Sequence, residues 1–338
     1  MTIKDIAKES GYAIGTVSRV LNNNPSVSPA ARAKILEVIK RYNYQPNSNA
    51  KHLKQQSSDG LALIVKGTQN MLFVDILEKI QAILEERGYV STVYYIDEEA
   101  NEVAQAELIC AERKPYGIAF LGSNLEYFTP QLAELRVPCL LLTNSAATLR
   151  IANLSSVSVD DMAASDRMIE YLYKQGHRRI GIIGGLPRLS TTTERISAYQ
   201  QAMADCGLPE DPDLIRYGDS MEKSAAGCLE DLLERQCDAI IVCQGLMASE
   251  TIIYLHQKGI QLAQDIDLVS FVDYDSDVYA LYADQMDTII QPVEELGEAA
   301  GEQILRRVEK PDAPIFEKVL TSAYKPYNQP QSWAHSER

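Results

Sequence analysis

The polar residues of one short stretch, Thr16, Ser18, Arg19 and Asn22 in "GTVSRVLNN", have the chemistry of nucleic-acid contact. Hydroxyls and an amide suit phosphate oxygens, and a guanidinium fork suits a phosphate or a base edge. The plain alternative is a solvated polar face on a small helical cap. Other candidate chemistry is thinner. "VDD" at 159–161 pairs carboxylates as acid–base sites do, but no nucleophile or metal cluster accompanies it, and acids at a helix start oppose the helix dipole. "GIIGG" at 181–185 departs from the GxGxxG of a dinucleotide loop. Six cysteines (110, 139, 206, 228, 237, 243) show no CxxC or Cys/His spacing, so buried thiols in a reducing compartment are expected. No catalytic residue, metal site or cofactor follows from these residues.

The elements that must position the polar stretch are three helical patterns over residues 2–45. Ile3, Ile6 and Ala7 line one face of the first, Val17, Val20 and Leu21 the second, and Ile35, Val38, Ile39 and Tyr42 the third. Ser28 before Pro29 supplies an N-cap and a preorganised first turn. Helices this short are marginal alone, so the three must pack together. Helix, turn at Gly11 and second helix have helix-turn-helix spacing.

Charge is divided along the chain. Residues 1–54 hold nine Lys/Arg against three Asp/Glu, a net of +6; the whole chain is −15, so the remainder carries −21. A basic head on an acidic body is what a nucleic-acid reader joined to another module looks like. Pro, Asn, Ser and Gly over 45–60 make a linker around a brief amphipathic piece at 49–55. From Leu61, apolar runs of four to seven residues alternate with amphipathic helices, and the rhythm restarts after residue 160 with helices expected over 161–175, 194–206, 222–235 and 247–258. A helix over 293–308 and a strand near Lys318–Ser322 follow. This is the pattern of two parallel α/β halves with a cleft between them. With no apolar run of membrane length and no signal-peptide core, the sequence reads as that of a cytoplasmic, non-membrane protein.

"TIKDIAKESGY", "TVSRVLNN" and "YNYQPNSNAKHL" resemble the DNA-binding headpiece and hinge of the LacI/GalR family of bacterial repressors. "VSVDD", "QGHRRIGIIGG", "ERISAYQQAM", "DIDLVSFVDYD" and "TIIQPVEELGEAA" resemble that family's regulatory core in matching order. The resemblance implies an all-α helix-turn-helix headpiece at 1–45, a hinge at 46–60, and a two-lobed periplasmic-binding-protein-like α/β core. Its N-terminal lobe would take 61–159 plus about 291–319, and its C-terminal lobe 161–289 plus about 320–330.

By the same resemblance, Arg19 reads a guanine edge and Ile14 and Gly15 occupy the positions that vary with operator sequence. Thr2, Thr16, Ser18, Asn22, Tyr44 and Asn47 hold phosphates. Leu53 wedges with its counterpart into the central base step of a palindromic operator, and Ala50 lets two hinge helices approach closely; the alternative for Leu53 is an ordinary core anchor. Two departures stand out: Ala13 replaces the usual hydroxyl cap of the recognition helix, and Lys51 the more common arginine.

In the cleft the resemblance places Phe73 as a stacking aromatic, Arg195 and Asp275 as polar effector contacts, and Gln244 where Asn is frequent. Gly245 stands where the family has Asp, which removes a charge from a standard sugar contact. For Arg195 the alternative is a structural salt bridge at a lobe seam, and for Phe73 core packing. His177 falls in a structural motif. The expected function is a dimeric repressor controlled by a small molecule, most favourably a sugar, with nucleobases, nucleosides and sugar phosphates as further classes. The rivals are a sugar-binding transport protein and a doubly wound enzyme; neither accounts for both halves of the sequence.

Overall fold

A computed structural model of the chain describes residues 3–21, 27–42, 60–68, 70–219, 224–272, 281–282 and 284–327, which fall into two compact units, Met1–Ser58 and Asp59–Arg338.

In the first unit, α1 (Ile3–Ser10), α2 (Ile14–Leu21) and α3 (Pro29–Arg41) enclose a small core of Ile6, Ala7, Val17, Val20, Ile35 and Val38. Gly11 ends α1 at φ +74°, its N–H and that of Tyr12 returning to the Ala7 carbonyl. A Cβ there would touch nothing, so the requirement for glycine is the left-handed backbone and not space. Ser28 caps α3 by accepting the Ala31 N–H, with Pro29 in the first turn. Before α2 stands Ala13, whose carbonyl accepts the Val17 N–H but which has no side-chain oxygen to offer. Tyr42 departs from the sequence expectation. It sits past the last turn of α3, 44% exposed, and its hydroxyl donates to Glu9 at 3.3 Å instead of entering the core.

The second unit holds two six-stranded sheets. The first comprises β1 (Leu61–Lys66), β2 (Ser91–Ile96), β3 (Gly117–Leu121), β4 (Cys139–Thr143), β5 (Leu154–Val159) and β11 (Glu317–Leu320), in the order β11-β5-β4-β3-β1-β2, all parallel. Helices α4 (Met71–Glu86) and α10 (Val293–Glu309) cover one face of this sheet, and α5 (Glu102–Arg113) the other. The second comprises β6 (Ile180–Gly184), β7 (Ile215–Tyr217), β8 (Ala239–Val242), β9 (Asp267–Val272), β10 (Asp287–Ile290) and β12 (Ala323–Lys325), in the order β12-β10-β9-β8-β6-β7, with only β12 antiparallel. Here α6 (Asp161–Gln175) and α7 (Ser190–Asp205) cover one face, and α8 (Ala225–Glu234) and α9 (Gly245–Lys258) the other. Cover on both faces is why the central strands read as unbroken apolar runs.

The chain passes between the sheets after β5, after β10 and between β11 and β12. Residues 130–135 form a 3₁₀ turn, with Pro130 at its start and Arg136 in a left-handed conformation at its end. One sequence expectation needs correction. Helix α7 begins at Ser190, four residues before the expected 194, because its polar first turn "STTT" carries no apolar period to announce it.

Candidate functional site

A cavity of about 150 Å³ lies within the second unit, where the C-terminal ends of strands from both sheets meet the first turns of helices. This is the place where open parallel sheets bind ligands, because strand ends leave loops and helix N-termini free to face a crevice. The first sheet contributes Lys66 at the end of β1 and Gly67 after it, Gly122 and Ser123 after β3, Thr143 at the end of β4, and Val159 at the end of β5. The second contributes Leu189, Thr191 and Arg195 from the start of α7, and Gln244 to Leu246 from the start of α9.

Three of the four sequence-expected effector residues, Phe73, Arg195 and Gln244, line this one cavity; Asp275 lies outside the described residues. Phe73 sits in the first turn of α4, which Asn70 caps by accepting the Leu72 N–H at 3.1 Å. The ring is largely buried and also joins the core beneath, so it is at once wall and packing. Gly122, at φ +76°, lets the loop after β3 pass under it: a Cβ there would come within 2.8 Å of the Phe73 Cε2 atom.

Arg195 is 8% exposed and firmly held. Its Nε donates to Asp161 Oδ2 at 2.9 Å, its Nη1 donates to the Cys243 carbonyl, and its guanidinium lies 3.9 Å from the centre of the Phe271 ring. Arg195 thus makes a salt bridge between α6 and α7, two helices on the same sheet, and also lines the cavity. "VDD" divides its work in the same way. Asp160 caps α6 by accepting the Ala163 N–H, while Asp161 turns to Arg195 and the cavity. Gln244 is the N-cap residue of α9 and makes no side-chain cap bond.

Sequence reasoning missed Lys66. It pairs with Glu102 at 2.8 Å, the two side chains 4% and 2% exposed, and lies 5.0 Å from the centre of the Tyr127 ring. Glu102 also accepts the Asn124 N–H at 2.6 Å, which fixes the loop after β3. The one available signal was a cation closing the otherwise apolar strand "LALIVK". Contacts across the cavity mouth tie the sheets together: Ser190 Oγ accepts the Leu125 N–H at 3.0 Å, and Arg188 pairs with Glu99 at 2.6 Å.

Among the described residues, nothing here has the form of a catalytic centre. Burial pushes the Cys237 and Cys243 thiols up to about 11 and about 12, away from nucleophilic thiolate. Among the described residues no His/Cys/Asp/Glu group could hold a metal, and no helix is long and apolar enough to cross a membrane. His177 lies at the opposite end of the second sheet, its Nε2 2.7 Å from Asp267 and its Nδ1 3.4 Å from Asp238, bolting the starts of β8 and β9.

In the first unit, Gly15 and Arg19 are exposed on α2 and Thr16 is half-buried, opposite the buried Val17 and Val20. Ile14 and Ser18 belong to α2, but their side chains fall outside the description, as do residues Thr2, Asn22, Tyr44, Asn47, Ala50 and Leu53 entirely.

Comparison with known proteins agrees with this fold. Residues 2–47 match the family profile described as bacterial regulatory proteins, lacI family, and residues 169–325 match the periplasmic binding protein-like domain. The HTH-type transcriptional regulator MalR of Clostridium butyricum is 29% identical over 89% of this chain and 91% of its own. Among solved structures, a transcriptional regulator CelR–cellobiose complex superposes with a TM-score of 0.68 at 25% identity, covering 96% of this chain and 98% of that one. A lac repressor dimer bound to operator and an anti-inducer shares the fold, with a TM-score of 0.77 at 19% identity over 96% and 97% of the two chains. The homologues are transcriptional regulators and not enzymes. This chain belongs to the LacI family of bacterial transcriptional regulators, with a helix-turn-helix DNA-binding domain at its head and a periplasmic-binding-protein-like domain as its body.

Proposed function

We propose that the protein is a cytoplasmic repressor that grips a palindromic operator as a homodimer and is controlled by a small molecule, a sugar by preference, held in the cavity between the strand ends. Regulators of this family bind operator DNA and small-molecule effectors as dimers. The observation that carries the effector reading is the convergence of Phe73, Arg195 and Gln244, from three different helices, on one cavity. An aromatic wall with a few placed polar groups suits a polyhydroxylated ring. The relative whose structure holds cellobiose favours a sugar over the other classes.

We assign the lobes to 61–159 with 291–319 and to 161–289 with 320–330. The DNA contacts fall to Thr2, Ile14, Gly15, Thr16, Ser18, Arg19, Asn22, Tyr44, Asn47, Ala50 and Leu53, and effector contact to Phe73, Arg195, Gln244 and Asp275. Control then follows from linkage. A ligand that favours one arrangement of the lobes changes how two hinge segments of a dimer are spaced, and DNA and effector alter each other's affinity by the same factor. The test is to select an operator from a library of palindromic duplexes, then titrate the complex with sugars while following fluorescence anisotropy. A sugar that binds the full-length protein and shifts its operator affinity supports the reading. Operator affinity unmoved by every compound that binds the cavity overturns it.

A further inference from the structure

We propose that Arg167 is a positioning residue for control, confining the hinge between the two sheets to the neighbouring residues Asp160 and Thr321, so that the halves of the second unit turn about one axis. The hinge follows from how the connecting backbone is fastened; its use in control rests on the effector reading of the cavity.

Where a chain can turn is set by where it stops being held by one body and starts being held by the next. In the connection between β11 and β12 that interval is a single residue. Upstream, Leu320 pairs with Val159 in the parallel ladder of the first sheet, and its carbonyl accepts the Asp160 N–H at 2.9 Å. Downstream, the Ser322 carbonyl accepts a bond from Arg167 Nη2 at 2.7 Å, and Arg167 belongs to α6, which packs on the second sheet. From Ala323 on, β12 joins β10, and Asp287 of β10, 3% exposed, accepts both the Tyr324 hydroxyl at 2.5 Å and the Tyr327 N–H at 2.9 Å. Thr321 is left between the two bodies.

The connection after β5 narrows to the adjoining point. The Asp160 N–H is held by Leu320 of the first sheet, while its carboxylate caps α6 by accepting the Ala163 N–H at 2.9 Å. Asp160 and Thr321 thus flank one hydrogen bond, and the line through them is the axis the backbone allows. The remaining connection, Gln291–Pro292, leaves β10 where Ile290 pairs with Ala323, so it starts from the same fastened edge.

Arg167 closes the set because it stands on the helix that leaves one connection and grips the strand that leaves another. A guanidinium on a carbonyl is a charge-assisted bond, stronger than a neutral one. With it gone, the β12 ladder has to hold the connection from Ala323, and the play spreads past Thr321. Polar atoms at the same place give the hinge bonds to make on turning. The Ser322 hydroxyl and the Asn144 side-chain amide, on residues 2% and 0% exposed, have no partner in this arrangement, and Asn144 follows Thr143, which pairs with Ser158 of β5. Unpaired buried polar atoms are costly, so an arrangement that pairs them competes with this one, and a hinge with two such arrangements is a switch.

The experiment uses the full-length protein with nitroxide labels on p-acetylphenylalanine at the exposed positions Glu107 of α5 and Gln257 of α9, mixed with excess unlabelled chain so that pulsed electron paramagnetic resonance reads single labelled protomers. The native chain should give narrow separations. Arg167→Ala should roughly double their width, and Arg167→Lys, which keeps a charged donor, should restore it. Lys174→Ala, which breaks an exposed pair with Glu170 on the same helix, should change nothing. Operator titrations are then run with and without cellobiose, maltose, ribose or adenosine. The ratio of operator affinities produced by a bound compound should fall about threefold or more in Arg167→Ala, with affinity for random duplex unchanged. Widths unmoved by Arg167→Ala, or increased widths with the ratio intact, overturn the proposal. If no compound shifts operator affinity in the native chain, the effector reading fails and the control role with it, while the widths still decide whether Arg167 confines the hinge.

Discussion

Lys66 and Glu102 form a 2.8 Å ion pair in which neither side chain is more than 4% exposed, at the point where the first sheet meets the cavity. Taking two charges out of water is expensive, so the pair is a weak source of net stability, but removing one partner strands the other. Glu102→Ala should therefore destabilise the fold by about 3–5 kcal/mol. Lys66→Met combined with Glu102→Gln, which keeps an acceptor for the Asn124 N–H, should recover most of the loss. Chemical denaturation of the three proteins checks both; a single variant as stable as the double would show that the pair is not coupled.

Arg19→Ala should weaken specific operator binding by about 1–3 kcal/mol and spare binding to random duplex, as removal of a base-edge contact does. Anisotropy titrations on both DNAs separate the outcomes, and an equal loss on each would reduce Arg19 to a phosphate anchor. In the same assay rising salt should lower affinity steeply, as expected when phosphates are neutralised by a basic headpiece.

Much of the fold was legible because some residues carry local rules with them. Ser28 before Pro29 predicts a cap, and a cap is what the structure holds. Unbroken apolar runs predict strands buried on both faces, and Leu61–Lys66 is buried along its whole length. Tyr42 was misread because helical periodicity continues past the last turn in the sequence but not in the backbone. Asp161 was half legible: position marks a helix start, but its bond to Arg195 joins residues 34 apart. Lys66 with Glu102 was not legible, since nothing local says which distant acid a strand-end cation will meet.

His177 makes stability depend on pH. Hydrogen bonding to Asp267 raises its pKa above the ordinary histidine value, outweighing burial, and Asp238 adds to the shift. A histidine whose folded pKa is raised contributes stability fully present below its unfolded pKa, near 6.5, and lost as pH rises through the folded pKa. The difference in stability between the native chain and His177→Gln should thus be largest on the acid side of that window and shrink toward the alkaline side. Melting temperatures of both across pH 5.5–9 test this, and a constant difference would mean that the imidazole acts as a neutral hydrogen-bonding group throughout.

Ser190 offers the cleanest probe of coupling between lobes, because its hydroxyl takes the Leu125 N–H at 3.0 Å across the cavity mouth without being assigned any ligand contact. The neighbouring Arg188–Glu99 pair is 46% and 71% exposed and by itself is worth little in water. A single hydrogen bond between lobes contributes about 0.5–1.5 kcal/mol. If a cavity ligand favours the arrangement in which this bond forms, Ser190→Ala should weaken ligand affinity by roughly two- to tenfold, the same free energy expressed as a ratio, while Arg188→Ala changes it less. Because affinity for the ligand-favoured arrangement is reciprocal, the operator affinity of the ligand-free Ser190→Ala protein should move in the direction opposite to that produced by ligand. Calorimetry for the ligand and anisotropy for the operator measure the two shifts independently. A loss of ligand affinity with operator affinity unchanged would show that the mouth contact serves the cavity alone and takes no part in control of DNA binding.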